Sequence, residues 1–460
     1  MASLAGLAGR VVTGAGVLAL SPVAGLAALA GTATVVPEPT AFAVAGLSVF
    51  ASVFFLGLLL CVPRPGVAWG RWLRAAVVLG VEAAVVWHVS AATLDPAPPP
   101  DGPAKVAGQR EWRLSTGSRL AYVRVAPKRV TRPDPVVFLH GGPGVADLEG
   151  DSAFYGRLAS AGFPVYVYDQ LGAGRSARLA DPRGYGLDRD VADLEAIRLA
   201  VRAERLNLVA RGHGAQLAAA YLAEHPDRVA RAVLLSPAGL SPGRAANRPV
   251  ASAVLVGPDG LPAPRTLAVS TLLEVDPVIA HAFAGDRELD AHLTRALRRP
   301  PAPCRAPLGG SGGARADNGP GASGTLGPGA GPDGSGTHGP GTGPDGSGGA
   351  GADAEAGGYG GYAALTERVV SASLRAELTR VAVPVLVVKG ACDTQSWSEA
   401  VGYRRALPDA GLAYVGGATT ALGRDNAHLE VLRAFLTGAQ VDTQANDTPP
   451  PGYRGPVQNS

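Results

Sequence analysis

The stretch from Leu206 to Val229 reads LNLVARGHGAQLAAAYLAEHPDRV. Residues 206–209 form a short apolar run that is typical of a buried strand, and residues 215–224 have the alanine and leucine content of a helix. The turn between them, ARGHG at 210–214, contains two glycines and no Ser, Cys or Asp. The sequence therefore predicts a sharp strand-turn-helix unit centred on Gly212.

Apolar runs of strand length recur on both sides of this unit and alternate with helical segments, the longest of them at about 188–204. Two short β-rich stretches precede them, at 111–114 and 121–125. The strand runs are Pro135 to Leu139, Val165 to Tyr168, Ala232 to Leu235 and Pro384 to Val388. Strands that alternate with helices form a mostly parallel sheet covered on both faces, so an α/β fold is predicted.

Four motifs follow these strands in order, and together they indicate a family. They are HGGPG at 140–144, DQLGAGRS at 169–176, the 207–225 unit continuing as EHPDRV at 224–229, and VVKGACD at 387–393. In this combination and order, the region from about 107 to 437 resembles the α/β-hydrolases of the proline iminopeptidase type. The resemblance implies an α/β-hydrolase fold with a helical cap inserted between the two halves of the core.

The resemblance also assigns roles to particular residues. The turn after His140 corresponds to the oxyanion loop, in which the Gly142 amide and the amide of His213 would stabilise a tetrahedral oxyanion. Asp393 corresponds to the acid of a Ser-His-Asp triad, just beyond a strand end.

Two triad positions depart from the family pattern. The family has Gly-x-Ser-x-Gly at the nucleophile elbow, and here Gly212 stands at the serine position. The family's histidine ends a strand in a glycine-rich turn, and here Thr420 stands at that position. Losing the nucleophile and the base together favours a protein that has abandoned the family's chemistry.

Two histidines are possible substitutes for the missing groups. His213 follows the elbow, where its ring would either act as a base toward a water molecule or simply fill an aromatic position. His428 lies eight residues after Thr420, in a predicted helix at 427–436. We interpret His428 as a histidine on the surface of that helix rather than as a replacement base.

Three apolar runs precede the α/β region, at about 11–30, 41–62 and 75–94. Runs of about 20 apolar residues are long enough to cross a bilayer. The first run, rich in alanine and glycine, is also compatible with a signal peptide cleaved near residue 30. Residues 1–95 are therefore expected to contain two or three transmembrane helices.

Charge sets the expected orientation of these spans. The loop between the second and third runs carries Arg64, Arg71 and Arg74, whereas the preceding loop carries only Glu38. Because positively charged loops stay in the cytoplasm, everything after residue 95 is predicted to be extracytoplasmic. The expected location is a multi-pass cell-membrane protein with its α/β-hydrolase domain outside.

The remaining boundaries follow from composition. We expect a Pro-rich linker at 96–106, core halves at 107–244 and 371–437, a cap at 245–370 and a disordered tail at 438–460. Within the cap, residues 308–361 are nearly all Gly, Pro, Ser, Asp and Ala, which bury too little to fold, so this insert is predicted to be disordered.

Composition excludes several classes of site. A formal net charge of +3 is too small and dispersed for nucleic-acid binding. No metal or organic cofactor is indicated. The three cysteines, Cys61, Cys304 and Cys392, match no zinc or redox spacing, and Cys304 and Cys392 would be either a disulfide or two separate thiols.

Three functions remain open on this sequence. The favoured one is a degenerate hydrolase, or pseudoenzyme, that binds a small-molecule or peptide ligand or a partner under its cap without turnover. The alternative is an active aminopeptidase, esterase or other enzyme that uses the oxyanion loop and a substitute base. The third is an interaction protein in which the Gly-rich insert is a spacer.

Overall fold

A computed structural model describes residues 4–95, 103–142, 144–240, 263–297, 355–356, 373–393, 395–416 and 426–458. Much of the Pro-rich linker, most of the cap with its Gly-rich insert, Cys304 and Thr420 lie outside these residues.

The chain begins with three long helices, α1 (Leu4–Ala33), α2 (Pro39–Cys61) and α3 (Ala68–Leu94). All three are long and apolar enough to cross a membrane. Helices α1 and α2 pack closely because glycines face each other: a Cβ added at Gly25 would lie 3.1 Å from Gly46 O. Small residues at such contacts are typical of membrane helix pairs. The three predicted runs thus form helices, each of which begins before its predicted start. Helix α1 also ends after residue 30, whereas α2 and α3 end within one residue of the predicted ends.

The predicted α/β sheet has eight strands among the described residues. They are β1 (Gln109–Arg113), β2 (Arg119–Val125), β3 (Val136–Leu139), β5 (Val165–Tyr168), β6 (Leu206–Arg211), β7 (Val229–Leu235), β9 (Val385–Gly390) and β10 (Ala410–Val415). Their order in the sheet is β1-β2-β5-β3-β6-β7-β9-β10. Strand β2 pairs antiparallel with both β1 and β5, and the remaining neighbours are parallel. A separate pair joins β4 (Val145–Ala146) to β8 (Glu355–Ala356).

Helices cover both faces of the sheet. One face packs on α5 (Leu187–Ala200), α6 (His213–Glu224), α9 (Leu374–Leu378) and α10 (Trp397–Ala406). The other packs on α4 (Leu148–Tyr155) and α11 (Asn426–Thr437). Because successive strand side chains point to opposite faces, a strand such as β3 must be apolar throughout, and its four residues are all buried.

Within the predicted cap bounds, the structure describes α7 (Pro264–Val275), α8 (Pro277–Leu297) and β8, which lies inside the predicted insert. These helices pack against the ends of α1 and α3 and the start of α2. The Phe42 and Phe283 rings lie 5.8 Å apart, and Arg265 Nη1 donates a hydrogen bond of 2.7 Å to Thr93 O. One end of the three-helix group therefore contacts the cap.

The C-terminal segment differs from the sequence prediction of disorder, since residues 438–458 follow the domain surface in defined contacts. Tyr453 is buried and its ring lies 5.1 Å from that of Trp397. Asp447 forms ion pairs with Arg404 and Arg405. Composition misses this order because the segment forms no helix or strand and is held by side chains from elsewhere in the fold.

Candidate active site

The turn after β6 has the backbone geometry of a nucleophile elbow. Gly212 adopts φ 55° and ψ −115°, in the region that favours glycine. Its N–H donates to Leu235 O at 2.9 Å, and its carbonyl accepts from Ala215 N–H and Ala238 N–H, each at 3.1 Å. The turn is therefore fixed from both neighbouring elements, although the residue at its apex has no side chain.

The space at the apex would accept a side chain. A Cβ added to Gly212 would have Gly141 Cα as its nearest neighbour, at 3.7 Å, which is an ordinary contact. The second glycine of the turn is different: a Cβ on Gly214 would lie 2.4 Å from Leu139 O. Gly214 is thus required for α6 to approach β3, whereas Gly212 leaves an open position facing the predicted oxyanion loop.

That loop is held by a buried histidine. His140 Nε2 accepts the Gln170 N–H at 2.8 Å, so Nδ1 carries the proton and donates to Gly141 O at 2.8 Å. Burial, the largest influence, lowers the pKa of His140 to about 4, so the ring is neutral near pH 7. Gln170 Nε2 also donates to His140 O at 3.1 Å. These contacts fix the loop that carries Gly142, whose φ is 129°.

His213 is the first residue of α6 and is buried. Gln216 Nε2 donates to Gly239 O at 2.6 Å, which turns Gln216 Oε1 toward His213 Nδ1 at 2.8 Å. His213 Nδ1 therefore donates, and Nε2 is the unprotonated nitrogen of the neutral ring. Burial lowers the pKa of His213 below its ordinary value. Both roles considered for His213 are compatible with this placement.

Asp393 lies just after β9, where the triad acid is expected, but its carboxylate is engaged by a lysine. Lys389 Nζ lies 2.8 Å from Asp393 Oδ2, and both side chains are fully buried. Asp393 Oδ1 accepts the Gln395 N–H at 3.0 Å, and Lys389 Nζ donates to Gln395 O at 2.7 Å. The two carboxylate oxygens thus have partners within residues 389–395, one at the end of β9 and one in the loop that carries Asp393.

The C-terminal segment covers this acid loop. Arg454 N–H donates to Ala391 O at 2.7 Å, and Tyr453 Oη donates to Pro456 O at 3.0 Å. A Cβ added at Gly455 would lie 2.6 Å from Asp393 O. The backbone of the segment is therefore in direct contact with the loop that holds Asp393.

His428 lies on α11 and is fully buried, so its interpretation as a surface histidine is wrong. Its ring lies 6.0 Å from that of Phe154 on α4. The helix places Leu429 and Leu432 in the core beside it, which explains the burial. Thr420 lies outside the described residues, so the structure does not relate it to His428 or to the elbow.

The comparisons with known proteins agree with this architecture. Residues 134–275 match the model of the alpha/beta hydrolase fold family. Over 107 residues the chain is 37% identical to a proline iminopeptidase of Heyndrickxia coagulans, covering 22% of this chain and 35% of that protein. The chain has an α/β-hydrolase fold, and part of it is similar to proline iminopeptidases.

Two further similarities mark the extent of the relationship. Over 133 residues this α/β-hydrolase-fold protein is 33% identical to 1-acylglycerol-3-phosphate O-acyltransferase ABHD5 of Mus musculus, covering 28% of this chain and 36% of that protein. A solved enol-lactonase from Burkholderia xenovorans is 18% identical, with a TM-score of 0.42 over 71% of this chain and 100% of that one. The chain spans little more than a third of the length of the curated relatives it matches.

Two residues of the hydrolase domain escape the sequence reasoning. Lys389 is one of only three lysines and stands four residues before Asp393, which is the one available signal of their pairing. Ser236 follows β7 with a φ of 42° and is buried. Its Oγ has no hydrogen-bond partner among the described residues. A positive φ at serine is not readable from sequence.

Cys392 is disulfide-bonded, to a partner outside the described residues, whereas Cys61 is free. Within the described part of the chain, no group of three or more His, Cys, Asp or Glu side chains is arranged to hold a metal ion.

Proposed function

We propose that this chain is a membrane-anchored, catalytically degenerate hydrolase that binds a small molecule or peptide beneath its cap without covalent turnover. The observation that carries the proposal is Gly212, which holds the elbow conformation but offers no nucleophile. Covalent catalysis requires a nucleophile within reach of a base, and the apex of this turn cannot supply one.

The acid loop supports the same conclusion independently. A triad carboxylate orients histidine through a free oxygen, whereas Asp393 is paired with Lys389. A buried pair of this kind is costly to break, because removing one partner leaves an uncompensated charge in the interior. Asp393 therefore acts in this proposal as a structural residue.

The membrane arrangement is part of the proposal. The ends of α1 and α3 and the start of α2 contact the cap. Arg64 in the loop after α2, together with Arg71 and Arg74 in the first turns of α3, lies at the opposite end of these helices. Positive loops remain cytoplasmic, so the hydrolase domain would lie outside. The disulfide at Cys392 supports this side, because disulfides persist in oxidising compartments.

Single cysteines test the sidedness in intact cells that express the full chain with Cys61→Ser. Val130→Cys lies on an exposed part of the hydrolase domain, and a side chain at Gly66, between α2 and α3, would meet nothing within 4 Å. A membrane-impermeant maleimide should label Val130→Cys directly and Gly66→Cys only after permeabilisation. The reverse pattern would refute the proposed orientation.

A second candidate, an enzyme that activates water without a covalent intermediate, is favoured by the orientation of His213. Its unprotonated Nε2 has the character of a general base. The relatives are named as a proline iminopeptidase and a 1-acylglycerol-3-phosphate O-acyltransferase, which imply different substrates, so both substrate classes enter the test.

The decisive assay uses the purified full chain, because the cap contacts the spans and the C-terminal segment contacts the core. Proline arylamide and short acyl esters are offered to wild type and to His213→Gln. The degenerate-hydrolase proposal predicts equal background rates for the two proteins. Turnover by wild type that falls with His213→Gln would instead support water activation.

A further inference from the structure

The other end of the membrane-length helices contains a pocket that the hydrolase fold does not use. It lies where α2 ends and α3 begins and has a volume of about 440 Å³. Its apolar lining includes Pro65, Val67 and Val77, and its polar or aromatic lining consists of Arg64, Trp69 and Arg74. Apolar and cationic groups thus face the same space.

Arg74 builds this pocket by joining the two helices. Its Nε donates to Val62 O at 3.0 Å and its Nη2 donates to Leu59 O at 2.9 Å. The last carbonyls of a helix lack partners within the helix, so this guanidinium caps α2 and fixes the start of α3 against it. The hydrogen bonds from Arg74 therefore fix one wall of the pocket between α2 and α3.

The charge around the pocket is uniformly positive. Arg64 and Arg71 are exposed, and among the described residues neither has an ion-pair partner. Arg10 of α1 lies at the same end, because the neighbouring Val11 O is 3.8 Å from the thiol of Cys61 at the end of α2. No Asp or Glu occurs in residues 4–37 or 39–81. The described helices therefore place no carboxylate at this end, since Glu82 lies near the middle of α3.

We propose that this pocket binds the headgroup of an anionic phospholipid; the inference rests on the membrane arrangement proposed above. The phosphate would accept hydrogen bonds from the Arg64 guanidinium, a charge-assisted contact of the strong kind. The glycerol and the first methylenes would lie against Val67 and Val77. Basic pockets at the cytoplasmic ends of spans suit such headgroups, and the exposed Trp69 has the interfacial position expected at that depth.

The lining selects lipid over soluble phosphate. A free anion would bind the arginines but leave the apolar lining exposed to water. A lipid would contact the arginines and cover the apolar lining at once. A lipid is also already concentrated where the pocket opens. The proposal is thus specific to phospholipids of net negative charge.

The test measures phosphatidylglycerol and phosphatidylcholine binding to the full chain in detergent by native mass spectrometry. We compare wild type with Arg64→Gln, with Arg10→Gln at the same end but outside the pocket lining, and with Arg129→Gln on the hydrolase domain. Arg64 and Arg129 are exposed, so these variants should fold. Each lowers the formal charge by the same amount.

We expect wild type to prefer phosphatidylglycerol and Arg64→Gln to lose roughly 10-fold in its affinity, as expected for the loss of one charge-assisted hydrogen bond. Arg10→Gln and Arg129→Gln should change it by less than ~2-fold. Equal losses for Arg64→Gln and Arg10→Gln would show diffuse attraction and overturn the pocket.

Two other outcomes would also overturn the proposal. Equal affinity for the two lipids would remove the anionic specificity. If excess inorganic phosphate displaced phosphatidylglycerol from wild type but not from Arg64→Gln, the pocket would be assigned to a soluble phosphate. Because the readout is bound lipid, it is independent of activity at the elbow, so either proposal can fail without the other.

Discussion

In the proposed degenerate hydrolase, the elbow and the acid loop differ from a working triad in opposite ways. At the elbow the reactive residue is gone, but Gly212 keeps the strained backbone and an open space for a side chain. At the acid loop the residue is present, but Asp393 is paired with Lys389 and covered by the C-terminal segment. The comparison shows that a fold can keep the backbone geometry of a catalytic position without its residue, or keep the residue without its catalytic geometry.

The difference follows from what each region does for stability. The elbow joins β6 to α6 at the centre of the sheet, so its backbone is needed for packing whatever stands at the apex. A buried carboxylate, in contrast, needs a counter-charge when no histidine is paired with it. Lys389 meets that need from four residues away.

The largest expected effect tests the acid loop. Replacing Lys389 by Met should leave Asp393 charged and unpaired in the interior and cost about 3–5 kcal/mol. For a domain of this size that lowers the thermal midpoint by roughly 10 °C. The midpoint in detergent is the measurement, and Lys389→Met/Asp393→Leu should recover much of the loss. A fall no larger than that of the exposed Lys105→Met would contradict the pairing.

The next effect tests the elbow side through pH. The pKa of His140 is about 4 when folded and ~6.5 when unfolded. The unfolded chain therefore binds more protons between these values, so stability is complete above pH ~6.5 and falls as the pH drops toward 4, by roughly 3 kcal/mol. Chemical unfolding across this range should show that slope, and His140→Gln should reduce it to the part that His213 contributes. An equal reduction by His225→Gln, at a partly exposed side chain, would assign the slope elsewhere.

A third pair of variants separates the two glycines of the elbow. Gly214→Ala forces a Cβ to 2.4 Å from a sheet carbonyl, whereas Gly212→Ala meets nothing closer than 3.7 Å. Overpacking should cost about 3 kcal/mol at Gly214, and backbone strain about 1 kcal/mol at Gly212. Thermal midpoints compare them. Equal losses would mean that the apex has no room and is not an emptied nucleophile position.

The smallest effect concerns the C-terminal segment over the acid loop. Tyr453→Ala removes the buried ring beside Trp397 and should cost about 1–2 kcal/mol, less than a central core truncation because the segment can relax. Limited proteolysis should then cut within 438–458 faster than in wild type. Val457→Ala, at a side chain that is 41% exposed, is the matched control and should not change the cleavage rate.

The sequence predicted the strands and turns that leave a pattern of apolar residues or glycines. The apolar runs at 135–139 and 165–168, the turn at Gly212 and the strand before Asp393 all lie where the patterns placed them. The burial of His428 was missed because a histidine beside an apolar stripe can lie at its edge or inside it, and the contact with Phe154 on α4 decides which. The pairing of Lys389 with Asp393 was missed because it depends on side-chain direction and burial, which spacing alone does not record.

The most direct test of the central claim is fluorophosphonate labelling of the intact chain, with the modified residue located by mass spectrometry. Wild type should carry no adduct, and Gly212→Ser/Thr420→His should be labelled at position 212, while Gly212→Ala/Thr420→His remains unlabelled. That result would establish an intact elbow that lacks only its reactive groups. A wild-type adduct at any residue, with Ser236 the first to inspect, would contradict the account by revealing a nucleophile that the elbow does not carry.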